Sequence, residues 1–154
     1  MTDQPVLQLR LASPADAVAI RELTLEAYRP WIAVIGREPA PMTEDYDAAV
    51  RTHRFDLAYL GGALVALIET HAEPDHLLVV NIAVSPALHG RGIGRQLLAH
   101  AEVLARGAGL ATLRLYTNAK MARNIALYRR FGYVIEREAP SPLGGVVVHM
   151  VKQL

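Results

Sequence analysis

Val84-Ser85-Pro86-Ala87-Leu88-His89-Gly90-Arg91-Gly92-Ile93-Gly94-Arg95-Gln96-Leu97-Leu98 joins an apolar strand to an amphipathic helix through alternating glycines. Upstream, His76 to Val84 carries the run Leu77-Leu78-Val79-Val80, apolar on both faces as in a strand buried at the centre of an α/β sheet. Downstream, Ile93, Leu97, Leu98, Ala101, Leu104 and Ala105 fall on one side of a helix that should end near Gly107 and Gly109. Gly90, Gly92 and Gly94 let the main chain between them approach a ligand closely. The unpaired N–H groups of the helix's first turn, with the positive end of its dipole, form an anion site to which Arg91 and Arg95 add charge. A plain glycine turn entering a core helix has the same composition.

Two better-known glycine motifs do not fit. The loop lacks the Gly-Lys-Ser/Thr ending of a P-loop, which disfavours Mg²⁺-nucleotide chemistry. The spacing Gly90-x-Gly92-x-Gly94 misses the G-x-G-x-x-G dinucleotide fingerprint, and the strand before it lies mid-chain rather than opening the domain.

Outward from the loop, the chain reads as hairpin strands, then β-α-β-α-β, then a closing strand. Val6 to Leu11 is a first strand, and Ser13-Pro14 caps a helix reaching about Ala27. Residues 28 to 42 hold three prolines, a glycine and the only tryptophan, and read as a long loop, a feature usually tied to function. Thr43-Glu44-Asp45 caps a helix to about Thr52. Phe55 to Leu60 and Ala63 to Thr70 form a hairpin about Gly61-Gly62. Thr112 to Thr117, Tyr133 to Arg137 and Val146 to Val151 are later strands, with a helix from Met121 to Phe131. No repeat or linker interrupts residues 1–154, so one domain is expected.

Composition narrows the function. The 154 residues are 52% hydrophobic and 20% charged, an ordinary globular balance. A formal net charge of +1 argues against broad capture of nucleic acid. With no cysteine, disulfides, thiolate metal sites and a Cys nucleophile are excluded, and no metal is expected. Neither a secretory signal nor an apolar stretch near the roughly 20 residues of a membrane span is visible, so a cytoplasmic protein without a membrane partner is the expectation.

A second pattern is independent of the first. At 100° per residue, Met121, Asn124, Ile125, Leu127, Tyr128 and Phe131 share one helix face, with Arg123, Arg129 and Arg130 outside it. Asn124 and the Tyr128 hydroxyl therefore point inward as i, i+4 neighbours, and buried polar groups bond either to the core or to something bound there.

Both segments resemble the GNAT superfamily of acyl-CoA-dependent N-acetyltransferases. His89-Gly90-Arg91-Gly92-Ile93-Gly94 is similar to the family's Gln/Arg-x-x-Gly-x-Gly/Ala pyrophosphate loop, with His89 where Gln or Arg is usual. Leu127-Tyr128-Arg129-Arg130-Phe131-Gly132-Tyr133 is similar to its Leu-Tyr-x-x-x-Gly-Phe/Tyr pattern. The detailed likeness spans roughly residues 76 to 136. It implies an α/β (α+β) domain whose mixed central sheet of six to seven strands contains a splayed central pair, flanked by helices. It implies an acetyl group moved from acetyl-CoA to an amine. Residues 90 to 95 would then hold the pyrophosphate, and Ile82-Ala83-Val84 would pair with pantetheine. Tyr128 would be the acid for the departing thiolate, and Asn118 or Asn124 would contact the cofactor, since Met121 stands where the family's frequent asparagine lies. A homodimer is expected by analogy alone.

Acyl transfer needs an oriented thioester, a deprotonated amine, a stabilised oxyanion and a protonated thiolate. An N–H of Ile82 or Ala83 suits the oxyanion. The family's usual glutamate positions fall on Val80 and Tyr116, which leaves Glu69, His71, His76, His149 or water as the base. Tyr28, Trp31, Ile35, Arg37, Met42 and Tyr46 are expected to form an apolar acceptor wall with one cation; as substrate-binding residues we single out Tyr28, Trp31 and Arg37. A CoA-binding module without catalysis, and an unrelated α/β domain, remain alternatives.

Overall fold

The computed structural model describes residues 5–154. Seven strands form one sheet in the order β1-β2-β3-β4-β5-β7-β6: β1 Gln8–Leu11, β2 Arg54–Leu60, β3 Ala63–Ala72, β4 Leu77–Val84, β5 Thr112–Asn118, β6 Val134–Pro140 and β7 Val146–Gln153. Every neighbouring pair is antiparallel except β4 and β5, which run parallel. Both residues of the Gly61-Gly62 turn have positive φ, +57° and +82°, as the tight hairpin of the sequence requires.

Side-chain alternation along the strands splits the core in two. On one face, α1 (Ala17–Tyr28) and α3 (Tyr46–Thr52) cover Phe55, Leu57, Leu67 and Ala83. On the other, α4 (Ile93–Gly107) buries Ile93, Leu97, Leu98, Ala101 and Ala105 against Ala66, Ile68, Leu77 and Val79. Leu98 is fully buried there, and Leu98→Ala should cost about 2–5 kcal/mol. Chemical denaturation should show that loss as a lower midpoint with an unchanged slope.

Several elements differ from the expectation. The first strand starts at Gln8, and a 3-10 turn, Pro14–Asp16, precedes α1. Residues 28–42 are not a plain loop. Prolines at first-turn positions start 3-10 turns at Arg29–Trp31 and Ala40–Thr43, with the short helix α2 (Ile32–Ile35) between, ended by Gly36 at φ +88°. Asp45 caps α3 as expected, accepting from the Ala48 N–H at 3.2 Å. Strand β4 is buried on alternate residues rather than on both faces.

The cause lies in two irregularities of β4. Its ladder to β3 pairs Val79 with Thr70 and Asn81 with Glu69, so Val80 is an extra, bulged residue. Leu77 and Val79 belong to the α4 core, whereas beyond the bulge Ala83 belongs to the α1 core. Second, β4 and β5 pair only over Leu77–Val79 with Leu113–Leu115. Past Val79 the two strands part, which is the splayed central pair that the resemblance implied.

Candidate active site

The splay opens the sheet between two cavities. The larger, about 1040 Å³, runs along the glycine loop and α5 (Ala122–Arg130); it is lined by residues 88–95, Ile82, Val84, Trp31, Arg123, Leu127 and Arg130. The smaller, about 120 Å³, is walled by Ile35, Arg37, Pro39, Val80, Asn81, Tyr116, Asn118, Met121 and Leu143. Tyr28, Ile82, Asn124 and Tyr128 line both, so the two meet at these four side chains.

The larger cleft suits a polyanion. Gly90 and Gly92 adopt φ of +79° and +80°, and Gly92 is the N-cap of α4. These conformations are costly for a residue with a Cβ. Gly94 serves packing instead. A Cβ there would lie 3.1 Å from Leu127 Cδ2, so its lack of a side chain lets α5 pack against the start of α4. His89 and Ile93 also line the cleft, with Arg91, Arg95, Arg123 and Arg130. Among the described residues none of these four arginines has a carboxylate within ion-pair distance. Four unneutralised cations and the first turn of a helix face one groove, and phosphates fit that donor set.

The backbone of β4 contributes next. The Ser85 N–H donates to Val65 O at 2.8 Å, and Ala83 pairs with Leu67 in the same ladder. Antiparallel alternation therefore turns the main-chain groups of Ile82 and Val84 toward the gap left by β5. Their side chains line the cleft, whereas Ala83 is 1% exposed and packs toward α1.

Tyr128 sits at the junction, edge-on to Tyr133 with ring centroids 6.1 Å apart. Burial alone pushes its hydroxyl up to about 12, so the proton stays on at neutral pH. Tyr28 donates to Asn81 Oδ1 at 2.6 Å, with Ile82 O at 3.2 Å. Asn118 lines only the smaller cavity, and its Oδ1 accepts the Lys120 N–H at 2.9 Å in a local turn. Asn124 lines both. Trp31 faces the larger cleft, where the Arg123 guanidinium lies 5.1 Å from its ring centroid, and it is not on the wall of the smaller cavity.

None of the expected base candidates lines the smaller cavity. Glu69 lies across the ladder from Asn81, 2% exposed, with His53 Nδ1 at 2.6 Å. The His71 ring is 4.6 Å from that of His53, and His76 pairs with Asp75 at 2.6 Å. His149 lies beside Tyr116, with burial and Arg137 holding its pKa below the usual value. Burial raises the Glu69 pKa above its ordinary 4.5, while His53 pulls it the other way. The folded chain then keeps this proton where the unfolded chain has lost it. Stability from this group is full below 4.5 and falls as pH rises through the elevated pKa. Glu69→Gln should flatten that descent in melting temperatures taken from acid to neutral pH.

Sequence reasoning does not single out Asn81. Its signal is a lone amide in the run Val79-Val80-Asn81-Ile82, in a strand otherwise apolar. It is 5% exposed, and its Nδ2 is buried without a partner among the described residues.

Residues 17–133 match the family model described as "Acetyltransferase (GNAT) family". The chain belongs to the GNAT acetyltransferases. It is 32% identical, over an alignment of 157 positions, to the S-(2-succino)cysteine N-acetyltransferase of Bacillus subtilis (strain 168), covering 94% of each chain. The PaiA N-acetyltransferase of Thermoplasma acidophilum, solved in complex with coenzyme A, superposes with a TM-score of 0.79 at 18% identity, over 97% of this chain and 99% of that one. A GNAT acetyltransferase from Elizabethkingia anophelis with acetyl-CoA bound gives 0.73 at 17% identity, over 96% and 98%. The family assignment makes this chain an N-acetyltransferase. No helix among the described residues is long and apolar enough to cross a membrane.

Proposed function

We propose that this GNAT acetyltransferase takes an acetyl group from acetyl-CoA and passes it to the primary amine of a small molecule or peptide by direct attack in a ternary complex. The carrying observation is that a cationic, glycine-lined cleft and a small, mainly apolar cavity share Tyr28, Ile82, Asn124 and Tyr128. A thioester entering from one side and an amine from the other would meet there, which supplies proximity and orientation. The Gly90 to Arg95 loop holds the phosphates, and the Ile82 N–H faces the splay as the oxyanion donor. The new N–C bond forms as the C–S bond breaks; the proton shed by the amine nitrogen is balanced by one gained by sulfur, for which the Tyr128 hydroxyl is the donor. With no carboxylate or histidine on the small cavity's wall among the described residues, the amine arrives neutral and water carries its proton away.

That bare wall also favours a second reading, a CoA-binding module without turnover. Calorimetric titration with acetyl-CoA and CoA tests what the two share. Micromolar binding is expected; no binding up to about millimolar, weaker than about −4 kcal/mol, refutes both. Consumption of acetyl-CoA with any amine then separates them.

A further inference from the structure

The smaller cavity has an unusual set of unused groups. Arg37 is half-buried on its wall, and its Nη1 and Nη2 donate to Glu38 O and Gly144 O, each at 3.2 Å. Those carbonyls orient the guanidinium without neutralising it, and no carboxylate lies within ion-pair distance among the described residues. The bond to Gly144 also ties the segment after α2 to the turn between β6 and β7, whose Leu143 closes the same cavity. Deeper in, the amide of Asn81 is fixed through its oxygen by Tyr28, and its nitrogen has no acceptor among the described residues. A buried donor is satisfied only when an oxygen reaches it. The remaining surface is apolar, from Ile35, Pro39 and Met121.

We propose that this cavity is an acceptor subsite for a small amino carboxylate with an apolar body, in which Arg37 pairs with the carboxylate and Asn81 Nδ2 donates to a ligand oxygen. The inference rests on the acetyltransferase reading and specifies its acceptor. At about 120 Å³ the cavity is small but opens into the larger cleft, so it suits a compact apolar body of leucine or methionine size whose polar end reaches the junction. Polyamines and aminoglycosides fit poorly, because their additional ammonium groups would meet a cation and find no wall carboxylate. The amine would point toward Tyr28 and Tyr128, where the two cavities join.

The test measures acetyl-CoA consumption by wild type and Arg37→Met with L-leucine, L-methionine and L-phenylalanine, each against its carboxamide. Removing one partner of a desolvated charge pair weakens recognition by about 100-fold. Wild type should therefore favour at least one acid over its amide by about that factor in kcat/KM. In Arg37→Met the ratio should collapse toward unity, through KM more than kcat, and Arg37→Lys should restore part of it. Equal use of acid and amide by wild type, equal loss on both in Arg37→Met, or preference for polyamines or peptides would overturn the proposal. Calorimetry with acetyl-CoA keeps the two levels apart. Binding without acetylation of any acid sinks the subsite alone, and absence of binding sinks the acetyltransferase reading with it.

Discussion

Tyr128→Phe should lower kcat by about 100- to 1000-fold, within the range for losing one positioned proton donor, while CoA affinity stays near the wild-type value. The substitution keeps the ring and its edge-on contact with Tyr133. It removes a hydroxyl that has no hydrogen-bond partner among the described residues, so the fold should not suffer. A phenol held near 12 does not surrender its proton readily to a thiolate of ordinary pKa, about 8.5. Its contribution is therefore a hydrogen bond to the departing sulfur that matures into transfer as the bond breaks, which places the loss below the top of the general-acid range. Single-turnover rates read the chemical step directly. An unchanged rate would remove Tyr128 from the mechanism.

The double substitution Gly90→Ala, Gly92→Ala should weaken acetyl-CoA binding by about 30- to 1000-fold. Each glycine holds φ near +80°, and a Cβ in the left-handed region costs roughly 1–2 kcal/mol per residue. Around Gly90 a Cβ would meet nothing within 4 Å, so crowding is not the obstacle there. In the free protein the loop relaxes to negative φ and loses its cradle; the cost reappears when the phosphates require the original path. Calorimetry should show the weakened binding, and the melting temperature should move little. Wild-type affinity in this variant would show that the loop is only a turn.

The sequence carried the larger part of the fold because its signals were local. The change from a continuous apolar run to a 3.6-residue period across Val84 to Leu98 placed a strand, a glycine loop and a helix, and α4 runs from Ile93 to Gly107 as its apolar stripe indicates. The Leu127-Tyr128 face of α5 was likewise legible from spacing. Residues 28–42 were harder, since prolines that break a long helix also open short 3-10 turns, and only packing decides between them.

By itself the sequence determined the family resemblance, the glycine loop and the inward helix face that carries Tyr128, because each depends on residue types at fixed separations along one or two adjacent elements. What only the tertiary structure decided depends on contacts between distant elements. The bulge at Val80 turns Ala83 into the α1 core and leaves Ile82 facing the splay. Trp31 falls beside Arg123 in the larger cleft rather than on the wall of the smaller cavity. Arg37 meets Gly144 across 107 positions, and Tyr28 meets Asn81 across 53. No periodicity encodes such pairs, since they come from how the loops and α1 settle over a sheet that parts after Val79.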